Sequence, residues 1–124
     1  MNNMSYADAF ASYLKKGGVS FEVIRKSGDL TVLKLGFDMI EIDDSSCHLT
    51  RLLKPISRSK YSSALETVNR LNQEFSYCQF NIIKVNPYYM CVSYYFSLYG
   101  EADDVAFHIL KMYKIFMKIT KNIV

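Results

Sequence analysis

A chain of 124 residues, half of them apolar and 22% charged, can bury a core without disulfides or metals, and it has the composition of an ordinary globular domain. A net charge of +3 is too small an excess to signal a nucleic-acid face by itself, and no apolar run approaches the roughly 20 residues that span a bilayer. The opening MNNMSYADAF has neither the basic nor the apolar stretch of a secretion signal, so one domain over residues 1–124, in the cytoplasm and away from membranes, is the expectation.

Tyr6, Phe10, Tyr13 and Leu14 recur at helical spacing. Ser5 with Asp8 fits a capping box and Gly17 with Gly18 a stop, which predicts a short amphipathic first helix. VSFEVIRK at 19–26 and LTVLKLGF from Leu30 are β-formers separated by SGD, a tight-turn signal, so a hairpin follows. Leu33, Leu35 and Phe37 share a face, whereas Ile40 and Ile42 have the opposite parity; a bulge near Gly36 to Met39 would keep them in one strand. Asp43 to Ser46 is a polar turn into a third strand from Cys47 to Leu53, closed by Pro55.

From Ser59 the period becomes helical. Tyr61, Leu65, Val68, Leu71 or Asn72, and Phe75 fall on one side, and Glu66 with Arg70 is spaced as an exposed pair. Residues 77–85 read as a fourth strand, VNP at 85–87 as a turn, and Tyr88 to Tyr99 as a fifth strand. Gly100 stops it, and Glu101, Asp103 and Asp104 open a final helix whose later turns carry lysines. The expected fold is therefore α+β, a five-stranded antiparallel sheet with flanking helices in the order α-β-β-β-α-β-β-α.

The segment VNRLNQEFSYCQFNIIKVNPYYMCVSYYFSL resembles the YbjN-like family, which shares its fold with type III secretion chaperones. Asn69 and Asn72 at the helix end, the strand with Phe80, and the next strand leading into an acidic helix start carry the resemblance; Asn86 and Pro87 depart from it, since such proteins often have Asp or Gly in that turn. It implies a five-stranded sheet, commonly a homodimer, and no catalytic residues. Chaperones of this fold bind extended segments of secreted proteins, and the YbjN side is regarded as regulatory.

Cys47, Cys78 and Cys91 are odd in number and show no metal-ligand spacing, so buried structural thiols are expected, with no metal and no cofactor. Cys47 and His48 point to opposite faces of a strand, and only His108 on the last helix could approach a strand cysteine; no orienting motif accompanies it, and the expectation is a protein without catalytic residues. On the last helix Lys111, Lys114, Lys118 and Lys121 form one stripe within about 80°. Arg51, Lys54, Arg58 and Lys60 are a second acid-free cluster that could join it to hold an acidic partner or nucleic acid.

The apolar arc of the same helix spans about 220°, far more than a helix on a sheet needs. Met112, Ile115 and Ile119 lie on one flank, Leu110 and Met117 on the other. In the fifth strand Met90, Val92, Tyr94, Phe96 and Leu98 make a core face, while Tyr89, Cys91, Ser93, Tyr95, Ser97 and Tyr99 make a second, polar-tipped one. The expected activity is binding of another protein or peptide segment by a homodimer, through Tyr89, Tyr95, Tyr99, Met112, Ile115 and Ile119. The alternative is a regulator that meets nucleic acid or an acidic ligand through the lysine stripe.

Overall fold

The computed structural model describes residues 4–84 and 88–121. Helix α1 (Tyr6–Lys16) starts at Ser5, whose side chain accepts the Asp8 N–H at 3.1 Å. It ends in a Schellman turn: Val19 N–H reaches Leu14 O, Gly18 N–H reaches Lys15 O, and Gly18 takes φ +70°. Strands β1 (Glu22–Ser27), β2 (Leu30–Leu35), β3 (Asp38–Ile42) and β4 (Ser46–Ile56) follow as a meander. After a short 3-10 turn come α2 (Tyr61–Glu74), β5 (Gln79–Lys84), β6 (Tyr88–Ser97) and α3 (Ala102–Thr120). The expected turn at 85–87 lies outside the described residues.

Among the described residues the sheet has six antiparallel strands in the order β1-β2-β3-β4-β6-β5, which corrects the expected five. The parity switch after Phe37 is a chain reversal, not a bulge. Gly36 takes φ +61° and Phe37 a negative φ, the two-residue type II′ pattern, so Leu35 pairs with Asp38 and Leu33 with Ile40. Both readings put Leu33, Leu35, Ile40 and Ile42 on one face, because cross-strand partners share a face as surely as alternate residues do. Phe37, at the tip, is 81% exposed.

Two further details differ from the sequence reading. Strand β4 continues past Pro55 to Ile56; the register shifts between Leu52 and Lys54, and beyond Arg51 the strand has lost β3 as a neighbour, the setting in which a missing N–H is tolerated. Helix α2 buries Ala64, Val68 and Leu71 and leaves Leu65 exposed, and Arg70 pairs with Glu74 at 3.4 Å rather than with Glu66.

One side of the sheet carries the three described helices. Leu33, Ile40, Ile42, Cys47, Leu49, Phe80, Met90, Val92 and Phe96 form a single cluster with Phe10 and Leu14 of α1, Val68 and Leu71 of α2, and Val105, Ile109 and Phe116 of α3. Val32 and Cys91, buried on the opposite face, stand outside it. Tyr6 donates its hydroxyl to Gly100 O at 2.8 Å and ties α1 to the start of α3.

Candidate partner-binding surfaces

Among the described residues no helix covers the second face of β6. Its residues alternate with the core-facing Met90, Val92 and Phe96, and register neighbours on either side extend it: Leu52 and Asn81 beside Cys91, Thr50 and Gln79 beside Ser93, His48 beside Tyr95. Cys91 and Ser93 are buried at its centre, Tyr89 is half-buried, and Tyr95 is 64% exposed. His48 stands edge-on to Tyr95 with ring centroids 6.2 Å apart, and its Nδ1 lies 3.9 Å from Glu41 on β3. Tyr99 lies beyond the strand end, 86% exposed and detached from this face. The face thus joins Tyr89 and Tyr95 and adds His48 and Leu52, which the sequence reading passed over because strand pairing, not spacing, brings them there.

Neither sheet edge invites strand addition. At β5 the Asn72 side chain accepts the Phe80 N–H at 2.6 Å and donates to Phe80 O at 2.9 Å, so α2 occupies the pairing groups of Phe80 that an added strand would use. At β1 the strand is exposed throughout, but Arg25 and Lys26 charge it and the register shift between Val23 and Arg25 bends it.

On α3 the buried centre is about 100° wide, from Val105 and Phe116 through Ile109 to Tyr113 and Ala106. Both overhanging flanks open onto clefts. Met112, Ile115 and Ile119 line a cleft of about 230 Å³ with Tyr77, Cys78, Tyr94 and Phe116, and Ile115 is 42% exposed. Leu110 and Met117 line a wider groove of about 590 Å³, partly covered by Leu14 and Val19 from the end of α1.

Below that wider groove lies a polar cluster that no sequence motif announced. Asp38, 5% exposed, accepts the Tyr113 hydroxyl at 2.5 Å, and Arg51 Nε stands 3.4 Å from its other oxygen, close enough to counter the charge although not directed as a hydrogen bond. Arg51 also donates to Thr120 Oγ1 at 3.2 Å. Burial, reinforced by the Asp38 contact, pushes the Tyr113 hydroxyl well above its ordinary pKa and keeps it a donor. The cluster pins α3 to β3 and β4. It also removes Arg51 from the basic group with Lys54, Arg58 and Lys60, all of which are exposed.

Lys111, Lys114, Lys118 and Lys121 are exposed, and among the described residues none has an ion-pair partner. His108 packs edge-on against Phe96 at 5.6 Å and forms no hydrogen bond with a cysteine among the described residues. All three thiols are free and buried, and burial raises each pKa, most strongly at Cys47, the opposite of a reactive thiolate. Among the described residues no group of three or more His, Cys, Asp or Glu is placed to hold a metal, and no helix is long and apolar enough to cross a membrane.

A six-stranded antiparallel sheet with three helices on one face defines an α+β protein of the YbjN-like fold. The likeness is to the crystal structure of YbjN from E. coli, a candidate transcription regulator, with a TM-score of 0.58 over 94% of this chain and 87% of that one at 13% identity. No family model matches the chain, and no curated protein matches it.

Proposed function

We propose that this is a non-enzymatic protein-binding domain, a member of the YbjN-like family that acts as a homodimer or on another protein through its bare sheet face. One observation carries the reading: an interior strand of the sheet presents Tyr89 and Tyr95 on a side that no described helix covers, next to buried Cys91 and Ser93. A tyrosine on such a face supplies contact area at low entropic cost while its hydroxyl stays wet, a composition enriched at protein interfaces. The Asn72 side chain on Phe80 at the β5 edge favours contact through the face over strand addition.

Sedimentation at micromolar concentration tests the self-association. A species of twice 14.4 kDa that falls to 14.4 kDa in Tyr89→Ser/Tyr95→Ser supports the face as the dimer contact. If the wild type sediments at 14.4 kDa and the double variant retains every partner co-purified from the native host, the face is inert and the reading fails. A second reading, a regulator meeting nucleic acid through the exposed and unpaired lysines of α3, is supported by those lysines alone. Its signature is binding to DNA or RNA that weakens steeply with salt.

A further inference from the structure

The two groups of α3 residues that sequence reading treats as rival sites are one surface. Ile115 projects half-exposed from the cleft it shares with Met112, Ile119 and Tyr77. Its helix-surface neighbours four residues before and three after are Lys111 and Lys118, both exposed and without an ion-pair partner among the described residues. The acids of this helix, Asp103 and Asp104, are confined to its first turn, so the stretch from Lys111 to Lys121 is free of carboxylates. An apolar cleft thus runs beside a row of unpaired cations on one helix.

At about 230 Å³ the cleft is smaller than the roughly 300 Å³ at which small-molecule pockets begin, and it has the scale of one large side chain. A nucleic-acid site needs the cations but not the apolar cleft beside them; the cleft's exposed ring, Tyr77, comes from outside the helix, and the residue between Lys111 and Lys118 is the aliphatic Ile115. We infer that the Lys111–Lys121 half of α3 docks an acidic amphipathic helix, one large apolar residue seated between Met112, Ile115 and Ile119 and flanking carboxylates meeting Lys111 and Lys118. The inference rests on the protein-binding reading but places the contact across the sheet from the tyrosines.

The probe is a synthetic helical peptide of about four turns with Leu at i, i+4 spacing and Glu on both sides of that stripe. Fluorescence anisotropy reads its affinity, and ¹⁵N amide shifts of the folded protein read its location. The inference expects shifts confined to α3 and Tyr77, about tenfold weaker binding to Ile115→Ser, and a loss of several-fold with Lys111→Gln/Lys118→Gln or in high salt. A peptide with Gln in place of Glu should bind several-fold more weakly.

Equal binding of the Glu and Gln peptides, or binding indifferent to Ile115→Ser, overturns the inference. So does tighter, Ile115-dependent binding of single-stranded DNA or of anionic phospholipid vesicles, or an α3-mediated dimer that the peptide fails to displace. Tyr95→Ser is the control. Peptide binding that survives it, in a protein whose sheet face has proved inert, leaves this inference standing while the sheet-face reading falls.

Discussion

At the scale of single residues, Asp38 does the least expected work. A carboxylate at the first position of a strand, just after a glycine turn, reads as a solvated turn residue, and nothing in the local pattern marks it as buried. What buries it is tertiary: strand pairing sets Arg51 of β4 opposite it, and α3 crosses the start of β3 and the middle of β4, bringing Tyr113 to Asp38 and Thr120 to Arg51 from far away in sequence. Sequence periodicity placed Tyr113 within the apolar arc of α3 but could not say that its hydroxyl had a partner. Because that hydroxyl is the directed donor on a buried carboxylate, Tyr113→Phe should lower unfolding stability by about 1–3 kcal/mol, read by urea denaturation. A change under about 0.5 kcal/mol, within the scatter of neutral surface substitutions, would show that Arg51 alone satisfies Asp38.

Elements were legible where their signals were local. The Ser5 cap and the paired glycines of α1, the SGD turn and the extent of α2 all depend on residues within one or two turns of each other. The strand count failed at Gly36 because a bulge and a type II′ turn both use a glycine and both restore a continuous apolar face; only the hydrogen-bonding partner of Leu35 separates them. On α2 the amphipathic period was right but its phase was off by one position at Leu65, whose place the smaller Ala64 takes.

Asn72 is the element-scale counterpart of Asp38. The sequence shows it as half of an asparagine pair, and its role is to stand in for a neighbouring strand against Phe80 of β5. Asn72→Leu should expose the Phe80 N–H and carbonyl, costing about 1–3 kcal/mol and raising the rate of hydrogen exchange along β5 above that of β6. Exchange at Phe80 unchanged from wild type would mean that the edge is protected by burial rather than by the asparagine.

At the scale of the whole molecule, the buried thiols report on cooperativity. Cys47 sits in the core between β3 and β6, Cys91 in the middle of the bare face and Cys78 just before β5. All three should resist a water-soluble disulfide reagent in the native state and react together across the urea transition, with Cys47 no faster than global unfolding. Rapid native-state labelling of any one of them would reopen a thiol-based role for this fold.

The strand order has a consequence for how the chain reaches this state. Strand β6 sits between β4 and β5, so the long side of β4 waits for residues that follow it by some forty positions, while α2 and β5 are made in between. During synthesis the β1–β4 meander emerges with β4 unpaired on that side, and the gap closes only when the β5–β6 hairpin docks as a unit. Formation of the β4–β6 ladder, a pairing of high sequence separation, should therefore be the slow step, and the interval before it should be when this protein is most open to misassembly with another nascent copy of itself.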